Sequence, residues 1–362
     1  MPNKILFLFG LLTLFFTSCD TSNDSVEFDR TEFLTQYADE LIIPTINSFS
    51  DKLNSFRTGV NSISFPPSEE DIQSLRADWL ALHSDFISIN TFSFGPAGRD
   101  GLIKPMIEEV GAFPPLTQVI EDKIENQEFS TDDSFRKSRG LLALEYLLYS
   151  PSDVNQYLEG LTSSKWDYFV AVTNHLHAYM NPIKVSWDIG GYRQVFIEND
   201  GTNVQSSTAQ CYNTWLKSFE SLRDLKLGDP MAFSAGFDEI NPLLFEAYYS
   251  NSAIRYLKEH FNRIIYIWGG DLTSDQYWVS YLKSVDGGET LVESVRAEVS
   301  TISDILDSIP EDIPLDELVN SHSEELNTLH QALQEITHYF EGDMSSLLNI
   351  PVTFDTDDGD GA

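Results

Sequence analysis

The residues best able to do chemistry in this sequence stand singly among apolar neighbours. In RGLLALEYLLY, residues 139–149, Gly140, Leu141, Leu142, Ala143, Leu144, Tyr146, Leu147 and Leu148 suit a helix buried among other helices, and Glu145 sits in their midst. Burying an unpaired carboxylate costs several kcal/mol. Glu145 must therefore serve a ligand or be held by an arginine, a tyrosine or a helix end. His175 and His177 of HLH are two residues apart and point about 200 degrees apart around a helix, so one helix cannot aim both at one metal; they read as unrelated surface or interface histidines. His330 and His338 could share a face, but surface positions beside an apolar stripe explain them more simply. Cys211 has no local signature of a nucleophile. No His-Glu-x-x-His, Gly-x-Ser-x-Gly or Gly-x-x-x-x-Gly-Lys pattern occurs. DTDDGDGA, residues 355–362, offers Asp355 and Asp357 for the first and third positions of a calcium loop, but Gly359 and Asp360 are in the wrong order, which favours a solvated acidic tail.

The elements that position such residues begin after an export signal. Lys4 precedes a twelve-residue apolar run, residues 5–16, and small residues lead from it to Cys19. The run is too short to span a bilayer and has the length of a signal peptide. A cysteine directly behind it looks like a bacterial lipobox, in which Cys19 becomes the lipidated first residue of the mature chain. The expectation is a signal peptide over 1–18, a polar tether over 19–30, and a protein lipid-anchored in the envelope of a Gram-negative bacterium, facing the periplasm or the surface. The only other cysteine is Cys211, so a lipidated Cys19 leaves no intramolecular disulfide and stability must come from a packed core. With 57 acidic against 22 basic residues, the formal net charge of −35 repels phosphate backbones, and nucleic acid is excluded as a partner.

Helical periodicity dominates the remainder. Leu326, Leu329, Leu333, Ile336, Phe340, Met344 and Leu347 form one apolar face, with Ser323 as its expected N-cap. Further stripes run through Val154, Tyr157, Leu158 and Leu161, and through Ile254, Leu257, Phe261, Ile264, Ile265 and Trp268. Residues 32–57 and 67–89 alternate similarly, with a kink expected at Pro44 and a cap at Ser68. Gly- and Pro-rich breaks fall at 93–105 and 111–116, and longer ones at 187–207 and 226–242. An all-α protein of two helical bundles follows, over 31–190 and 205–350, with an acidic tail over 351–362.

DWLALHSDFISINTFSFGP (78–96), GAFPPL (111–116), RGLLALEYLLY, LKLGDP (225–230), EAYYSNSAIRYL (246–257) and IPVTFDTDDGDG (350–361) occur in the order expected of the imelysin-like family, which the mature chain resembles along nearly its whole length. The resemblance implies two bundles related by a pseudo-twofold, a site near their interface, an envelope location, and a link in some members to iron uptake; the family also carries a metallopeptidase label. Its hallmark, Gly-x-His-x-x-Glu, falls here on Gly140, Leu142 and Glu145. His and Glu three residues apart share a helix face and can hold one ion, but Leu142 replaces the imidazole with hydrocarbon. An arginine and a glutamate of the family's first motif become His83 and Asn90. The implied ligand-binding set is His83, Asn90, Gly140, Leu142, Glu145, Glu246, Tyr249 and Ser250, with Glu145 the one remaining strong metal ligand and iron or a divalent metal the implied cofactor. The expected role is a non-catalytic, envelope-anchored binding protein whose partner is a small ligand or envelope protein. Two alternatives stay open: a metallopeptidase, and a surface module for glycans or proteins whose ancestral site has decayed.

Overall fold

In the computed structural model, which describes residues 28–98, 105–131, 135–311 and 313–353, the described residues form helices, turns and loops with no strand. The all-α fold read from the sequence is the fold of the protein.

The first half contains α1 (Arg30–Gln36), α2 (Ile43–Ser62), α3 (Glu69–Ile89), α4 (Met106–Val110), α5 (Thr117–Asn126), α6 (Leu141–Tyr149), α7 (Val154–Gly160), α8 (Ser163–Asp188) and α9 (Tyr192–Glu198). The helix through α1 and α2 passes Pro44 by way of a π turn at Tyr37–Ile42. Proline has no N–H to give and crowds the carbonyl four residues earlier, and the wider turn just ahead of it absorbs both defects. Ser68 caps α3 in a reciprocal pair with Asp71, whose carboxylate accepts from the Ser68 N–H at 2.8 Å while the Ser68 hydroxyl accepts from the Asp71 N–H at 3.2 Å. Helices α2, α3 and α8 form the spine of this bundle, and α8 runs antiparallel to α2: Asn61 bonds Asn174 and Lys184 bonds Asp51.

The second half contains α10 (Ser207–Arg223), α11 (Ala253–Gly269), α12 (Tyr277–Lys283), α13 (Gly288–Ser308), α14 (Leu315–Ser321), α15 (Ser323–Thr337) and α16 (Met344–Leu348). Every residue of the stripe on α11 is buried, as are Tyr256 and His260 beside it, because α11 is covered by α3 on one side and by α10 and α12 on the others. The stripe of α15 continues through a π turn, His338–Asp343, into α16, and only Leu347 of it is partly exposed. Ser323 is the first residue of α15 and not its cap; that position belongs to His322, since α14 ends one residue earlier and leaves no extended residue to supply a serine cap. The shortest stripe is also thinner than expected, with only Tyr157 of α7 fully buried.

The two halves meet where α3 lies on α11 and where the turn Asn90–Phe92 lies on α10. Across this join the Tyr256 hydroxyl donates to the Leu80 carbonyl at 2.9 Å and Arg263 donates to the Ser88 carbonyl at 3.2 Å. Helix α1 bridges the halves from the outside. Its Phe33 ring sits 4.8 Å from Trp278 of α12, and Phe28 stacks on Tyr281 at 4.0 Å.

Candidate functional site

Glu145 is positioned by the way α6 begins. Gly140 precedes the helix at a place where a Cβ would lie 2.8 Å from the Val110 carbonyl oxygen, so only glycine lets the end of α4 come this close. The Trp79 indole donates to the Leu141 carbonyl at 2.9 Å and the Tyr168 hydroxyl to the Ser138 carbonyl at 2.8 Å, fixing the first turn of α6 from two sides. Leu142 is fully buried in the hydrocarbon core. Glu145, 1% exposed, lies one turn further and reaches the opposite half, where one carboxyl oxygen accepts from both the backbone N–H and the hydroxyl of Ser250, each at 2.7 Å.

Burial pushes the Glu145 pKa up to about 8; the bonds from Ser250 and the Tyr249 backbone pull against this, and the nearby charge of Glu246 adds to it. At neutral pH the group is a protonated acid with its other oxygen able to donate. Its anchor, the segment between Pro242–Leu244 and α11, turns sharply: Ala247 and Asn251 have φ of 61° and 54°. Asn251 braces the turn by accepting from the Leu315 N–H at 2.8 Å and donating to the Ile313 carbonyl at 3.3 Å. Tyr249 sets its ring 5.0 Å from Tyr146, half-buried above Glu145.

Glu246, 3% exposed, stays ionised beside this neutral acid. Burial alone would raise its pKa, but the Lys226 ammonium at 2.6 Å and the His83 ring, with Nε2 at 3.4 Å, outweigh it and hold the carboxyl well below the usual range. Lys226 is itself buried and belongs to a π turn, Asp224–Gly228, that ends α10. His83 is fully buried, stacked 5.0 Å from Trp79 and edge-on to Tyr256 at 4.5 Å. A third group adjoins: the Ser218 hydroxyl lies 2.7 Å from His260 Nε2 and 3.1 Å from the Asn90 side-chain oxygen. Burial, and then the charge of Lys226, keep the His260 imidazole neutral, with its pKa well below the ordinary value.

His83, Asn90, Glu145, Glu246, Tyr249 and Ser250, chosen from the sequence, thus come together in one polar seam between the halves, buried at the first four and partly exposed at Tyr249 and Ser250, with Gly140 setting α6 against α4 and Leu142 in the core behind. Sequence reasoning missed Lys226, Ser218 and His260. The signal for His260 was present, since it lies three residues after Leu257 on the apolar face of α11. Nothing local distinguishes Lys226, which stands in LKLGDP within a break in the periodicity.

This donor set does not fit a catalytic metal. The carboxylate of Glu246 already has an internal cation, Glu145 is kept neutral by burial while one of its oxygens is occupied by Ser250, and residue 142 contributes no donor atom. Among the described residues no three His, Cys, Asp or Glu side chains converge on one point. Elsewhere, His175 is no isolated surface group: its Nε2 lies 2.8 Å from the buried carboxylate of Glu109, which also takes Arg139 Nε at 2.7 Å. Burial opposes ionisation of Glu109, but His175 and Arg139 prevail and lower its pKa to about 2. His330, expected at the surface, is buried against Phe233, because α15 is covered on that side by the break after α10. Cys211 is buried, and burial raises its pKa well above the usual range, which removes thiolate reactivity. Cys19, the signal segment and the acidic run 355–362 lie outside the described residues. No helix among the described residues is long and apolar enough to cross a membrane.

Comparison with known proteins agrees with this architecture. An imelysin-like protein from Psychrobacter arcticum 273-4 superposes with a TM-score of 0.70 at 17% identity, covering 90% of this chain and 97% of its own. A candidate iron-regulated protein A precursor from Parabacteroides distasonis ATCC 8503 superposes with a TM-score of 0.72, also at 17% identity, over 88% of this chain and 95% of that one. At such identity the likeness speaks for the fold. No curated relative matches the chain in sequence. The family model described as Imelysin matches residues 42–339, most of the chain, and the protein belongs to the imelysin family.

Proposed function

We propose that this protein is a non-catalytic binding protein of the imelysin type, lipid-anchored in the cell envelope through Cys19 and working alongside iron, haem or metal acquisition. The observation that carries the non-catalytic reading is the ion pair between Lys226 and Glu246, at 2.6 Å, near Glu145, with all three side chains buried. Metal-assisted peptide hydrolysis needs about three protein ligands, an open coordination position and a general base. Here one carboxylate is neutral, the other is neutralised by lysine, and the hallmark imidazole is Leu142. The anchoring reading is supported by the apolar run ending at Cys19. The iron link is supported by the name of the similar Parabacteroides protein.

Purified mature protein incubated with zinc or ferrous iron is expected to show no metal-dependent turnover of unstructured peptides. Turnover that requires the metal and vanishes in Glu145→Ala would overturn the non-catalytic reading. Radiolabelled palmitate should enter the wild-type chain and not Cys19→Ala; equal labelling of both would remove the anchor. Abundance of the protein in envelope fractions should rise under iron chelation, and an unchanged level would sever the link to iron.

A further inference from the structure

A solvent-open cleft of about 990 Å³ lies in the second half and shares no residue with the seam. Its walls are Thr202 and Asn203, the π turn His338–Asp343 with the start of α16, and the segment Asn349 to Val352. Each wall is braced. Asn213 donates to the Pro351 carbonyl at 3.0 Å and accepts from the Thr353 N–H at 2.7 Å, which fixes the last described residues as a rim. The opposite loop is tied by Asn199, which donates to the Gln205 carbonyl at 2.8 Å, and by Ser206, which donates to the Asn203 carbonyl at 2.7 Å. The π turn is held from behind by the Tyr212 hydroxyl, which donates to the Phe340 carbonyl. Turns of this kind recur at functional sites because they offset side chains from the regular helix face.

The lining narrows the ligand. The side chains of Thr202, His338, Glu341, Ser346 and Asn349 hydrogen-bond to no other group among the described residues, so their donors and acceptors are open to a ligand. Among the described residues no lysine or arginine lines the cleft and Glu341 does, in a chain of net charge −35, which disfavours an anion. No group of three ligating side chains is present among the described residues for a metal ion. The described wall is helix and loop, with no sheet edge to pair with an extended peptide. The lining best suits a neutral ligand rich in groups that both donate and accept, resting one apolar face on Pro351 and Val352. The volume is in the range of small-molecule sites.

We propose that this cleft binds a short neutral oligosaccharide. The test is isothermal titration of the full mature chain with maltotriose, cellotriose, laminaritriose and mannotriose, beside trigalacturonate and trialanine. At least one neutral trisaccharide should bind with a dissociation constant of about 1 mM or tighter, and trigalacturonate at least about tenfold more weakly than that sugar. Gly342 lines the cleft and a Cβ there would meet nothing within 4 Å, so Gly342→Leu should project into the cleft, keep the melting temperature and abolish binding. Ser346→Ala should weaken it severalfold. Failure of all four neutral sugars, unchanged affinity in Gly342→Leu, or tighter binding of trigalacturonate or trialanine would each overturn the proposal.

Discussion

At the scale of single residues, the seam is a division of protonation states. Glu145 and Glu246 share one buried region, yet one is neutral and the other charged, because only Glu246 has a cation beside it. This gives Glu145 a definite pH signature. Its folded pKa of about 8 lies above the ordinary value of 4.5, so its contribution to stability is fully present below about pH 4.5 and is lost as pH rises towards 8, where the unfolded chain has released a proton that the folded chain retains. Glu145→Gln keeps an acceptor for Ser250 and has no proton to lose. Denaturant titrations should therefore show the wild type losing several kcal/mol relative to Glu145→Gln across that window, at about 1.4 kcal/mol for every tenfold difference in proton affinity between the folded and unfolded chains. Parallel pH profiles would mean that Glu145 is not held neutral. The residue was legible in the sequence because an acid among leucines demands an explanation. Lys226 was not, since its partner stands twenty positions away on another element and no local pattern joins them.

At the scale of elements, helix ends and close approaches matter more than helix interiors. Gly140→Ala places a methyl group against a backbone oxygen that cannot yield without moving α4, so a loss of about 1–3 kcal/mol is expected in equilibrium unfolding. A loss within error would show that α4 and α6 slide apart freely. Periodicity was sufficient to locate α3, α11 and α15, whose apolar faces recur every three or four residues. It could not register the π turns at Tyr37–Ile42, Asp224–Gly228 and His338–Asp343, because one extra residue per turn shifts the face without breaking the hydrophobic count. Two of these turns carry residues that matter: Lys226 in the seam, and His338 and Glu341 in the cleft.

At the scale of the whole molecule, the join between halves is both apolar and polar, and α1 straps across it. Calorimetry should show one cooperative transition, with calorimetric and van't Hoff enthalpies equal; two separated transitions would mean that the halves fold independently. The surplus of acidic groups opposes compaction, so the melting temperature should rise as sodium chloride is increased from about 10 mM to about 300 mM, and a flat response would show that the repulsion is negligible. By itself the sequence determined that the chain is helical, where α2, α3, α11 and α15 lie, that it resembles the imelysin family, and that residue 142, three before Glu145, is a leucine. These are properties of residue type and spacing, which local geometry fixes. Only the tertiary structure decided that Glu145 bonds Ser250, that Lys226 neutralises Glu246, that His330 is buried, and that the π turn His338–Asp343, the loop at Thr202 and Asn203, and residues 349–352 line a cleft. Those outcomes depend on which faces meet across long stretches of chain, and burial and charge pairing have no value until they do.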